Sequence, residues 1–130
     1  MTQEEVAILV VDDVASIRTQ IKDLLRSFGF RRIKMEESVT HAKIAMDAEK
    51  FDLVLCDWHM QPLDGLELLK YVRSSEKFKD IAFVMVTAEG TKDKVMEALK
   101  CGVDDYLLKP LTIAQIQTKV YGTLLKRNII

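Results

Sequence analysis

Apolar and polar positions alternate along this chain in two different periods. Val6 to Val11 is an unbroken apolar run bounded by Glu5 and Asp12, which predicts a strand buried on both faces. Val14, Ile17, Ile21, Leu24, Leu25 and Phe28 then recur at helical spacing, and Gly29 supplies a stop. Arg31 to Glu36 is more polar, as an edge strand would be. Ala42, Ala45, Met46 and Glu49 mark a short second helix, with Ser38 or Thr40 as its cap. Leu53 to Cys56 is a second unbroken apolar run, ending at Asp57. Leu66, Leu68, Leu69 and Val72 predict a third helix. Ile81 to Val86 predicts a strand ending at Thr87. Val95, Met96 and Leu99 predict a helix over Lys92 to Lys100, stopped by Gly102. Tyr106 to Leu108 predicts a fifth strand before Lys109-Pro110. Thr112 and Gln115 form a capping-box pattern ahead of a last helix carrying Ile113, Ile116, Val120 and Leu124.

Five strands alternating with five helices imply βαβ units and a parallel sheet with right-handed crossovers. The expected architecture is a doubly wound α/β fold, a single domain over residues 1–130 with its core at about 6–126. No repeat, linker or room for a second domain is expected.

Composition narrows the functional classes. Hydrophobic residues make up 48% and charged residues 30% of the 130, which fits a soluble globular domain. A net charge of −1 provides no basic field for nucleic acid or an acidic membrane. The apolar runs are too short to span a bilayer, and the N-terminus has no secretory pattern. Cys56 and Cys101 have no metal-binding spacing, so a reduced, cytoplasmic protein is expected.

The strand ends carry the chemistry. In open parallel sheets, ligands gather at the carboxyl ends of strands. Asp12 and Asp13 follow the first strand, Asp57 the third, Thr87 the fourth and Lys109 the fifth. Alone, Asp57 reads equally as a functional carboxylate or as the opening of a turn. Together, three carboxylates, a hydroxyl and an ammonium would converge on one rim. Three neighbouring carboxylates repel one another. Lys109 offsets one charge, and a divalent cation offsets the rest. All-oxygen ligands point to Mg²⁺. Such a site suits phosphoryl transfer, with a carboxylate as nucleophile. Asp12 and Asp13 suit a metal-holding pair, and Asp57 stands apart.

These residues give the chain a resemblance to the receiver domains of the response-regulator family, in the CheY-like group. It rests on Asp12-Asp13 after Ile8 to Val11, Asp57-Trp58 with Met60, Asp64-Gly65, Val86-Thr87-Ala88 and Lys109-Pro110. The resemblance implies a flavodoxin-like strand order of 2-1-3-4-5. It implies that Asp57 accepts a phosphoryl group from a kinase phosphohistidine, with Thr87 and Lys109 binding phosphoryl oxygens. Mg²⁺ would be held by Asp12, Asp13, Asp57 and the backbone carbonyl of His59. Lys109-Pro110 would be cis. Tyr106 matches an aromatic switch position, turning into space that Thr87 vacates. His59 and Glu89 match variable positions that tune the lifetime of the acyl phosphate: Glu89 by holding a water, His59 by shielding the site or bonding to it.

The output surface would be the fourth helix, fifth strand and fifth helix, where Lys92, Val95, Leu99, Tyr106 and Lys119 are placed. Helical spacing equally suits Val95 and Leu99 as core residues, and for Leu99 the core reading is preferred. Asp57-Trp58-x-Met60, Gly65 to Lys70 and Met85 to Glu89 lean toward the chemotaxis branch. The implied partners are a CheA-like sensor histidine kinase as donor and a flagellar motor switch protein as target. A monomer is expected, without direct nucleic-acid or membrane binding, and not an enzyme beyond its own phosphorylation and dephosphorylation.

One departure is Gln61, which displaces the loop proline to Pro62. His41 is expected to face solvent and Trp58 to pack beside the site. Other readings are a relay intermediate passing phosphate to a histidine phosphotransfer protein, or the receiver fragment of a larger regulator. A haloacid-dehalogenase-like hydrolase would place a second Asp where His59 stands. A flavodoxin-like cofactor binder would need a phosphate-cradling loop where Asp12-Asp13-Val14-Ala15 is acidic.

Overall fold

A computed structural model describes residues 1–130. In chain order the elements are β1 (Ala7–Val11), α1 (Ala15–Ser27), β2 (Arg32–Glu36), α2 (Val39–Ala48), β3 (Leu53–Asp57), α3 (Gly65–Ser74), β4 (Ala82–Thr87), α4 (Lys92–Lys100), β5 (Asp105–Leu108) and α5 (Ile113–Lys126). The strands form one parallel sheet in the order β2-β1-β3-β4-β5, as the resemblance implied.

The unbroken apolar runs became the three inner strands. Every residue of β1, β3 and β4 is buried, because helices cover both faces of the sheet. Side chains alternate between two cores. Leu9, Val11, Val54, Cys56, Phe83 and Met85 face one, shared with α2 and α3. Ile8, Val10, Leu53, Leu55, Val84 and Val86 face the other, shared with α1 and α5. The period-two alternation of a strand makes that division. The more polar β2 lies on an edge and is only half-buried, as its composition predicts.

Caps fix where the helices begin. Ser38, not Thr40, caps α2 by accepting from the His41 N–H at 3.1 Å. Asp64 and Glu67 complete a reciprocal capping box on α3. Thr112 accepts from the Gln115 N–H at 3.1 Å, but the box expected there is half formed. The Gln115 side chain turns away and accepts from the Leu108 N–H instead. Gly29 and Gly102 end α1 and α4 at φ +96° and +93°, a region that only glycine enters freely.

One expected core residue lies outside. Leu99 is 52% exposed, and only Ala98 of α4 is fully buried. β5 is the last strand, so no further layer covers the outer flank of α4. Val95 is partly buried against the core, as one of its two readings allowed. His41 is solvent-facing, as expected.

Candidate functional site

Parallel strands bring their carboxyl ends to one rim, and the five polar strand-end residues meet there. Asp12 is fully buried at the end of β1. Its Oδ1 accepts from the Val14 N–H at 2.9 Å, and its Oδ2 accepts from Lys109 Nζ at 3.1 Å. Its carbonyl accepts from Arg18 at 2.6 Å, a support that the sequence pattern did not reveal. Asp13 is exposed at the mouth. Asp57, the last residue of β3, is 5% exposed, with Oδ1 3.5 Å from Lys109 Nζ. One carboxylate oxygen from each of Asp12, Asp13 and Asp57 lies within 4.8 Å of the other two.

Charge is crowded at this rim. Burial, and then the neighbouring Asp12, push the Asp57 carboxyl above its ordinary range. Lys109 and the His59 N–H oppose that rise. One ammonium leaves an excess of negative charge among three carboxylates. The donors are all oxygen, and two of the three are buried, so the set fits a hard divalent cation. The His59 imidazole is not among these groups.

The wall around Asp57 is held by backbone. Trp58 N–H donates to Val86 O at 3.1 Å, and Gly65 N–H donates to Trp58 O at 2.9 Å. A Cβ on Gly65 would fall inside contact distance of the Asp57 carbonyl, so only glycine lets α3 start this close to β3. Lys109-Pro110 is cis, as implied. Gln61-Pro62 is also cis, which was not foreseen at the displaced proline. Cys56 is fully buried behind Asp57. Burial, reinforced by Asp57, drives its thiol far upward, which leaves it an inert core side chain.

Thr87 is fully buried at the end of β4, and its hydroxyl accepts from the Glu89 N–H at 3.2 Å. Tyr106 lies turned inward, and its hydroxyl donates to Glu89 O at 2.8 Å. Burial raises the Tyr106 pKa, and the nearby Thr87 side chain opposes that rise. The ring is already inward in this structure, with Thr87 buried beside it. Trp58 is buried and meets Tyr106 edge-on at 6.2 Å between ring centroids. The Lys94 ammonium lies 4.7 Å from the centre of the Trp58 indole. This Lys94–Trp58–Tyr106 stack was not legible in the sequence, since no local spacing links α4 to the end of β3. His59 and Glu89 face each other across the mouth at 3.4 Å, both half exposed, so each meets the other.

The residues expected on the output face do not all share one environment. Val95, Leu99, Tyr106 and Lys119 line a shallow cleft of about 290 Å³ with Leu108 and Gly90. Lys92 lies outside that lining and is exposed. Lys119 Nζ donates to Tyr106 O at 2.6 Å.

Comparison with known proteins agrees with this geometry. Residues 8–121 match the family described as the response regulator receiver domain. The chain is 37% identical over 113 residues to the chemotaxis protein CheY of Pseudomonas aeruginosa, covering 87% of this chain and 91% of that protein. It is 35% identical to the chemotaxis protein CheY-3 of Vibrio cholerae, covering 87% of each. Among solved structures, the Vibrio cholerae chemotaxis protein CheY4 superposes with a TM-score of 0.85 at 25% identity, covering 92% of this chain and 98% of that one. A two-component response regulator from Clostridium difficile superposes with a TM-score of 0.86 at 26% identity, covering 95% and 99%. With a buried acidic rim at the strand ends, a doubly wound sheet in the order 2-1-3-4-5 and a family match across most of its length, this chain belongs to the response regulator receiver domains, the signalling switches of two-component systems.

Proposed function

We propose that the chain is a phosphorylation-activated switch that takes a phosphoryl group from a histidine kinase onto Asp57. The observation that carries this is the placement of Asp57, buried at the end of β3, with Lys109 at 3.5 Å and the acidic pair that follows β1 beside it. Asp57 is the nucleophile: a carboxylate oxygen attacks phosphorus, the bond from phosphorus to the kinase imidazole breaks, and an acyl phosphate results. Lys109 neutralises a phosphoryl oxygen, and the Thr87 hydroxyl donates to another. Asp12, Asp13, Asp57 and the His59 carbonyl would hold Mg²⁺, which supplies charge neutralisation for the transferring group. His59 and Glu89, paired across the mouth, restrict the approach of water to Asp57.

Phosphorylation adds roughly −1.5 to −2 charges. It biases whichever arrangement of Thr87 and Tyr106 contacts that charge better. Thr87 and Tyr106 both bond to the backbone of Glu89, and the Tyr106 carbonyl accepts from Lys119 of α5, so a shift at Thr87 would be felt on the face of α4, β5 and α5. Lys92, Val95, Leu99, Tyr106 and Lys119 are proposed to meet the target there.

Likeness to chemotaxis proteins supports a chemotaxis role, for which we propose a CheA-like donor and a flagellar motor switch target in the cytoplasm. No helix is long and apolar enough to cross a membrane. The test is transfer from a radiolabelled, autophosphorylated CheA-like kinase. Wild-type protein with Mg²⁺ should strip the label from the kinase, and Asp57→Asn should leave it in place. The phosphorylated protein should then bind a flagellar switch component more tightly. Capture of a histidine phosphotransfer protein alone would assign it to a relay.

A further inference from the structure

The sheet ends at β5, which leaves one flank of that strand without a neighbour. Lys109 N–H donates to Thr87 O at 2.8 Å, so that residue faces β4. Backbone groups alternate sides along a strand, so Tyr106 and Leu108, of opposite parity, turn theirs toward the open edge. An edge of this kind is a template for another strand. It is also apolar: Leu108 is 41% exposed, with Leu99 beside it in the same cleft.

Side chains already occupy this edge. Leu108 N–H donates to Gln115 Oε1 at 3.1 Å. Lys119 Nζ donates to Tyr106 O at 2.6 Å. Tyr106 N–H donates to Asp105 Oδ1 at 2.8 Å, and Lys119 reaches that same oxygen at 3.4 Å. Of the four outward groups on Tyr106 and Leu108, only the Leu108 carbonyl lacks a side-chain partner. Gln115 and Lys119 are four residues apart on α5, and therefore share one face. One supplies an acceptor and the other a donor, at the two heights where a sixth strand would supply them. Gln115 leaves the half-formed capping box of α5 to do so.

We propose that Gln115 and Lys119 close the edge of β5 to strand pairing, and that the partner they exclude is β5 of a second copy of this chain. The edge is self-complementary: a two-fold antiparallel pairing would satisfy the Tyr106 and Leu108 backbone groups of both copies and cover both Leu108 side chains. A partner strand would compete with Gln115 for the Leu108 N–H and with Lys119 for the Tyr106 carbonyl, while Asp105 keeps the Tyr106 N–H.

Amide exchange and sedimentation test this in the full chain. Gln115→Ala should speed exchange of the Leu108 amide roughly fivefold, the worth of one hydrogen bond. Gln115→Glu keeps the acceptor and should retain slow exchange. Gln115→Ala/Lys119→Ala should form dimers as its concentration rises, and the Leu108 amide should become slow again in the dimer. Equal Leu108 exchange in wild type and Gln115→Ala overturns the proposal. So does a double variant that stays monomeric at every concentration, or one whose dimer leaves the Leu108 amide fast. If the double variant does not fold, sedimentation of Gln115→Ala decides: self-association that wild type lacks supports the proposal, and a monomer at every concentration overturns it.

Discussion

Asp57 is held under electrostatic stress. Burial and Asp12 raise its pKa, so the folded state binds that proton more tightly than the unfolded chain does. The sign follows from linkage: stability from this group is full below the unfolded carboxylate pKa and is lost as pH rises through the raised folded value. At neutral pH the ionised Asp57 therefore destabilises the fold. In chelator at neutral pH, Asp57→Asn should therefore melt at a higher temperature than wild type. The gain should fade as pH falls into the acid range, where folded wild-type protein protonates Asp57 before the unfolded chain does. Thermal melts across that range check it. Every member of this crowded set stood at a strand end and was readable as such. The His59–Glu89 pair and the Lys94–Trp58–Tyr106 stack were not readable. They join loops and helices far apart in sequence, and no local period encodes their distances.

Among the elements, strands were the most legible and helix faces the least. The inner strands announced themselves because both sheet faces are covered and their apolar runs are unbroken. In α4, helical spacing named Val95, Met96 and Leu99 as one apolar set, yet Leu99 and Met96 are exposed. Spacing defines a face but not whether another layer covers it. Helix starts are better encoded, and their energetics are local. Asp64→Ala removes both the side-chain acceptor of the Glu67 N–H and the capping box of α3. It should lower stability by about 1 kcal/mol. Denaturant titration reads this directly, as a lower midpoint at unchanged slope.

At the scale of the molecule, a partly buried charge cluster closes the pole opposite the site. Asp104, before β5, accepts from Arg127 at 2.8 and 2.9 Å, from Arg73 at 3.1 Å and from the Phe83 N–H at 2.8 Å. Arg73 also donates to Gly102, Lys79 and Ile81 carbonyls, so one cluster ties α3, β4, the approach to β5 and the end of α5. Asp104→Ala leaves two partly buried guanidinium groups without their carboxylate, and should cost about 3 kcal/mol in chemical denaturation. We propose Asp57 as the phosphoacceptor. Its most direct measurement is incubation with a small acyl-phosphate donor and Mg²⁺, followed by mass-spectrometric mapping of the modified residue. One base-labile phosphoryl group should appear on Asp57, and none on Asp57→Asn or in chelator. A phosphoryl group on any other residue, or labelling retained in Asp57→Asn, would contradict it.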